Sequence, residues 1–167
     1  GTFMPICPID SGRYGSKEMK DLFEEDNRLQ RQLDVETALA ETLADLGEIP
    51  KSAAKEIRRR ATATAVTPEM VKEREKKTHH DVAAMVEVLA DQCGESGKYV
   101  HWGATSYDIV DTSWALIMRD AVSILDKRIC ELRDVLCDLA IKNRGLVMVG
   151  RTHGQHASPI TFGLKMA

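Results

Sequence analysis

Ten consecutive residues, Gly150-Arg151-Thr152-His153-Gly154-Gln155-His156-Ala157-Ser158-Pro159, crowd imidazole, hydroxyl, amide and guanidinium groups into one short stretch. An imidazole titrates at about pH 6.5 when unperturbed, so a histidine in such company can hand a proton to a leaving group or take one from a nucleophile. The same stretch also suits a purely structural bend between two packed helices, because Gly150 and Gly154 tolerate positive φ. These residues alone leave both readings open. His153 and His156 stand at a spacing that metal sites use, but no carboxylate or cysteine neighbour completes a ligand set, and no metal site is expected.

Two further clusters carry chemistry. Thr78-His79-His80-Asp81 precedes an apolar pattern at helical spacing. Adjacent histidines cannot share one helix face, so at most one of them points into a pocket. Asp81 can orient His80 or simply favour a helix N-terminus. Thr105-Ser106-Tyr107-Asp108, followed by Asp111, sets hydroxyls and carboxylates at the entry to a long element. Near the N-terminus, Arg13-Tyr14 suits phosphate oxygens, or is a solvated Arg beside a packed Tyr. No Gly-x-Gly-x-x-Gly, phosphate-binding Gly-x-x-x-x-Gly-Lys or His-Glu-x-x-His motif occurs. A triad of Ser106, His153 and Asp108 or Asp111 lacks the Gly-x-Ser-x-Gly elbow. The inventory that remains is hydroxyl donors, the histidines His80 and His153, and carboxylates. It suits a reaction in which charge builds on a substrate carboxylate while a leaving nitrogen takes up a proton.

The elements that must position these groups read as helices. Prolines 5 and 8 and glycines 12 and 15 make residues 1–15 an extended arm. Apolar residues at helical spacing run from about Ser16 to Leu46 and stop at Leu46-Gly47 before Pro50. A short basic helix capped by Ser52 follows, and Thr67-Pro68-Glu69 combines a capping hydroxyl, a first-turn proline and an acid. The segment from Gly94 to Gly103 reads as a loop. From Asp108 to Arg144 there is neither Gly nor Pro. Val110, Trp114, Ile117, Ala121, Leu125, Ile129, Leu132, Leu136 and Leu139 form one apolar stripe, and Ile109, Leu116, Ile124 and Val135 a second. Two stripes need partners on two sides, and only Pro159 to Ala167, read as another helical pattern, folds back. The expected architecture is all-α: the arm 1–15, an N-terminal helical domain 16–104, and from 105 to 167 the start of a central helical bundle completed by a longer polypeptide or by self-association.

Composition bounds the partners. With 167 residues, 43% hydrophobic, 29% charged and a net charge of -3, the chain is neither basic enough for nucleic acid nor patterned for an anionic membrane, and no apolar run reaches spanning length. Four cysteines without a Cys-x-x-Cys pair read as reduced thiols of a cytoplasmic protein.

Thr105-Ser106-Tyr107-Asp108-Ile109-Val110-Asp111-Thr112 resembles the first conserved segment of the fumarase/aspartase superfamily, and Gly150-Arg151-Thr152-His153-Gly154-Gln155 resembles the second. Within the superfamily the chain is most similar to the adenylosuccinate lyases. Arg13-Tyr14, His80-Asp81-Val82, Gly154 after the histidine and His156-Ala157-Ser158-Pro159-Ile160-Thr161-Phe162-Gly163 carry that closer likeness.

The resemblance implies an anti elimination that releases fumarate from a succinylated purine nucleotide, with no cofactor. It makes His153 the general acid and has His80 bind substrate and support it. Thr105, Ser106 and Thr152 would hold the succinyl carboxylates, with Gln155 also at the substrate. Arg13 and Tyr14 would hold the phosphate, and Asp81 and Asp108 would orient neighbours or bind substrate. It further implies a homotetramer built on the long helices. His79 stands where many members carry Arg. The third conserved segment, whose serine is regarded as the base, is not in the sequence, so the chain is expected to be inactive by itself. Other superfamily lyases, of argininosuccinate lyase or cycloisomerase type, and a non-catalytic helical assembly module are the alternatives.

Overall fold

The computed structural model describes residues 13–167. The part of the expected arm before Arg13 lies outside the described residues; Arg13 to Gly15 form a bend. Six helices follow: α1 (Lys17–Phe23), α2 (Glu25–Asp45), α3 (Lys51–Arg60), α4 (Pro68–Thr78), α5 (Asp81–Gln92) and α6 (Ser106–Lys142). A two-stranded ribbon, β1 (Val147–Thr152) and β2 (Gln155–Thr161), leads to α7 (Phe162–Met166). Among the described residues, those up to Ala121 form one compact unit and Val122–Ala167 a second.

Local chemistry sets most boundaries. Ser16 Oγ caps α1 by accepting from Met19 N, and Thr67 Oγ1 caps α4 by accepting from Met70 N, with Pro68 in the first turn. The helix expected over Ser16 to Leu46 breaks at Glu24, whose ψ of 150° is extended. Asn27 Nδ2 donates to the Leu22 carbonyl that the break frees, at 2.7 Å. Gly47, at φ 79°, ends α2 as expected. Ser52 does not cap α3: Pro50 occupies that position without a side-chain cap, and its carbonyl accepts from Ala53 and Ala54. The segment after α5 is not a plain loop but a 3-10 helix, Gly94–Tyr99.

In the first unit Leu29 and Leu33 of α2, Ile57 of α3, Val82, Met85 and Leu89 of α5 and Ile109 of α6 close one core. The buried line of α6 is Ile109, Ser113, Ile117 and Ala121, four residues apart each time, and Ile109 joins that core. The line draws on both sequence stripes and includes a serine whose hydroxyl donates to the Val110 carbonyl at 2.7 Å, leaving no polar group unpaired. Trp114 packs instead on Phe23, ring centroids 6.3 Å apart, and Arg31 of α2 grips Asp120 at 2.8 Å.

The second unit departs from the expected helical bend. The Gly150 to Pro159 stretch is a β-hairpin, paired antiparallel from Val147↔Thr161 to Thr152↔Gln155. Pro159 lies in β2 opposite Val149 rather than opening a helix, which a two-stranded ribbon tolerates because half of each strand's backbone groups face away from the partner. Helix starts only at Phe162, capped by Thr161 Oγ1 at 3.1 Å from Leu164 N. The α6 residues of this unit leave Val122, Leu125, Ile129, Leu132 and Val135 more than half exposed.

Candidate active site

His80 is the N-cap of α5. Its extended backbone, φ -152° and ψ 119°, lets Nδ1 accept the Ala83 N–H at 3.3 Å. Thr78 steadies it from behind, its hydroxyl donating to the His80 carbonyl at 3.0 Å. With Nδ1 used as an acceptor, the neutral ring carries its hydrogen on Nε2. That nitrogen lies 3.5 Å from Ser106 Oγ in the first turn of α6. Asp81 Oδ1 also stands 3.5 Å from His80 Nδ1 but accepts the Val82 N–H at 2.8 Å, the shorter contact. The helix cap, rather than Asp81, therefore sets the ring's orientation.

Asp108 acts one turn into α6. Its Oδ2 accepts the Thr105 N–H at 2.9 Å, one half of a capping box. The Thr105 hydroxyl keeps no partner among the described residues and is exposed. The N-termini of α5 and α6 thus meet within one hydrogen bond, with an imidazole N–H, two hydroxyls and two positive dipole ends together. Such an arrangement takes a carboxylate, each helix end contributing about 0.3–1 kcal/mol at an exposed site.

In the second unit Thr152, His153, Gly154 and Gln155 make the hairpin tip. Thr152 and Gln155 pair, so only His153 and Gly154 form the loop. Their φ values, 51° and 74°, are those of the primed turn whose twist matches a hairpin. Gly150 is required for a different reason. A Cβ there would stand 2.7 Å from the Ser158 carbonyl oxygen, where the ribbon's register shifts. Thr152, His153 and Gln155 are all exposed. Arg13 and Tyr14 are exposed in the bend before α1, and among the described residues no hydrogen bond joins them to His80 or Ser106.

Sequence reasoning missed one pair. Glu36 of α2, 1% exposed, holds His101, which stands four residues ahead of Thr105. Oε2 accepts the His101 N–H at 3.1 Å and Oε1 lies 2.6 Å from Nδ1. Burial pushes the Glu36 carboxyl up from its ordinary value against the opposing pull of His101. A signal existed, since Glu36 interrupts the apolar face between Leu33 and Ala40. Cys93, by contrast, is a core thiol that burial pushes up to about 11, leaving it unreactive near neutrality.

Comparison with known proteins identifies the family. Adenylosuccinate lyase of Pyrococcus abyssi is 51% identical over 164 residues, covering 98% of this chain and 36% of the relative. A fumarate lyase structure from Mesorhizobium sp. BNC1 matches with a TM-score of 0.83 at 39% identity, covering 92% of this chain and 37% of that one. The 3-carboxy-cis,cis-muconate lactonizing enzyme of Pseudomonas putida matches with a TM-score of 0.85 at 33% identity, covering 90% and 35%. The chain thus spans little more than a third of the length of the proteins it resembles. Residues 12–167 match the family described as Lyase, and the chain belongs to that lyase family, within the fumarase/aspartase superfamily.

Proposed function

We propose that the whole protein is a lyase of purine nucleotide biosynthesis, releasing fumarate from adenylosuccinate to give AMP and from the succinyl-carboxamide ribonucleotide to give the free carboxamide. The observation that carries this reading is the meeting of His80 and Ser106 at two helix N-termini, 3.5 Å apart. Elimination begins when the base, which the resemblance assigns to the serine of the third conserved segment, takes a proton from the succinyl carbon, and the electron pair of that C–H bond delocalises into the neighbouring carboxylate. Stabilising that dianionic group is the largest demand on the site. The His80 N–H, the Thr105 and Ser106 hydroxyls and the paired helix ends meet it, with the Thr152 hydroxyl and Gln155 amide as further donors. As the C–N bond breaks, the pair goes to nitrogen, and His153 supplies its proton as general acid. Arg13 and Tyr14 hold the nucleotide phosphate, and Asp81 and Asp108 keep the two helix entries in place.

In this reading residues 16–104 are an N-terminal domain and 105 onward begins a central bundle. The exposed apolar line on the later part of α6 is covered by other copies in a homotetramer, and the protein is cytoplasmic. Because His153 sits on an open hairpin tip, the 167-residue chain should release no fumarate when incubated with adenylosuccinate. In the whole protein His153→Gln should lower kcat by about 10²–10⁴. Turnover within a few-fold of the unsubstituted protein would overturn the general-acid assignment.

The likeness to a muconate-lactonizing enzyme favours a second reading, cycloisomerisation. Ring closure of a carboxymuconate, with no fumarate from either succinyl nucleotide, would decide for it.

A further inference from the structure

Glu36 is the buried carboxyl among the described residues that the proposed chemistry leaves without a task. It sits on the core face of α2 beside Leu33 and Ala40, where a carboxylate is tolerated only with full pairing. Both partners come from His101, through its backbone N–H and its Nδ1. An ionised carboxylate has no proton to offer, so Nδ1 carries the hydrogen. His101 holds φ 61°, a conformation L residues rarely adopt and keep only when their surroundings over-determine it. A grip on backbone and ring together does so.

From there the connection to the candidate site is short and bonded throughout. The His101 carbonyl accepts the Ala104 N–H at 3.3 Å and closes a turn. Thr105 N–H is held by Asp108, and Ser106 Oγ reaches His80 Nε2. We propose that Glu36 is the positioning residue of the Thr105–Ser106 segment: by gripping His101 at backbone and ring it fixes the turn that sets Ser106 against His80. The proposal rests on the reading of that corner as the carboxylate site. A Glu36 with a merely structural role would change stability and leave the His80 ring environment untouched.

The test is Glu36→Gln, which keeps the shape but presents one acceptor where the His101 donors need two. Imidazole nitrogen NMR of the 167-residue chain should show His101 leaving the Nδ1–H form and the His80 resonances moving with it. Glu36→Asp keeps both acceptor oxygens and should return the His80 resonances toward their original positions. In the whole protein Glu36→Gln should lower kcat roughly tenfold, with Glu36→Asp recovering most of it. His80 resonances that stay fixed while those of His101 change would overturn the proposal, as would a kcat loss that Glu36→Asp does not recover. Should the Glu36 variants fail to fold, His101→Asn and His101→Ala read the same relay. Asn accepts the left-handed backbone and offers Glu36 an amide donor, so it should preserve the His80 resonances, whereas Ala should move them; identical His80 resonances in the two defeat the idea. A whole protein that releases no fumarate from either nucleotide counts against the lyase reading alone, because the NMR arm does not depend on turnover.

Discussion

Ile117 and Ile129 carry the same side chain on α6, yet Ile117 is fully buried and Ile129 is 64% exposed. Truncation to Ala removes three carbons at each. At Ile117 all three are withdrawn from water, so about 0.8 kcal/mol per group gives a transfer loss of about 2.4 kcal/mol. The cavity left where the buried Ile117 side chain was raises the total to about 3–4 kcal/mol. At Ile129 only about a third of the side chain is covered and no enclosed cavity can form, so the loss stays below about 1 kcal/mol. With a urea m-value of about 2 kcal/mol/M, Ile117→Ala should lower the unfolding midpoint by about 1.5–2 M and Ile129→Ala by less than about 0.5 M. Trp102 and Trp114 both lie in the first unit and report its unfolding by fluorescence; far-UV circular dichroism follows the rest of α6. Sedimentation supplies the second half of the argument. If the exposed line is an interface between copies, Ile129→Ala shifts the distribution toward smaller species. Equal midpoint losses for the two variants in dilute protein would mean that the chain itself covers Ile129, and the reasoning would fail.

Stability should also depend on pH through Glu36. Its carboxyl is raised from the ordinary 4.5 by burial, so the folded state holds the proton to higher pH than the unfolded chain. That contribution is complete below about pH 4.5 and is lost as pH rises through the folded value. Urea midpoints measured upward from pH 4 should therefore fall in the original chain relative to Glu36→Gln, and parallel curves would refute the assignment. Gly150→Ala places a methyl 2.7 Å from the Ser158 carbonyl and 3.2 Å from Ile160 Cγ2. Overpacking of this kind costs about 1–3 kcal/mol, so amide exchange across β1 and β2 should accelerate several-fold while the first unit's exchange stays unchanged. Retained protection in the ribbon would show that it absorbs the methyl.

The legible parts of this chain are those that local chemistry decides. Thr67-Pro68 starts a helix and Gly47 stops one wherever they fall, and the long run without Gly or Pro at Asp108 to Arg144 could hardly be anything but helix. The hairpin was illegible for a physical reason. Leu146 to Val149 is too short an apolar run for periodicity to separate strand from helix. The turn uses His-Gly where Asn-Gly would have announced it. At the candidate site the helix entries near His80 and Thr105 were readable, but the meeting of His80 with Ser106 was not, since it joins residues 26 apart in sequence. Glu36 shows itself by interrupting the apolar face of α2, but its partner His101, 65 residues away, is marked by no local pattern.

Among the described residues the non-glycine positions with positive φ are His79, His101 and His153. Each carries a cost of roughly 1–2 kcal/mol that glycine would avoid. Local structure accounts for all three. His79 is the left-handed cap that ends α4, its N–H donating to the Glu75 carbonyl at 2.8 Å, and it hands the chain directly to His80. His101 is held at both backbone and ring by Glu36. His153 takes its left-handed φ from the primed turn it forms with Gly154, while its ring is exposed and has no hydrogen-bond partner among the described residues. A second glycine beside Gly154 would make the same turn at lower cost. The turn thus explains the backbone at His153 and leaves its exposed imidazole free for the general-acid role proposed above.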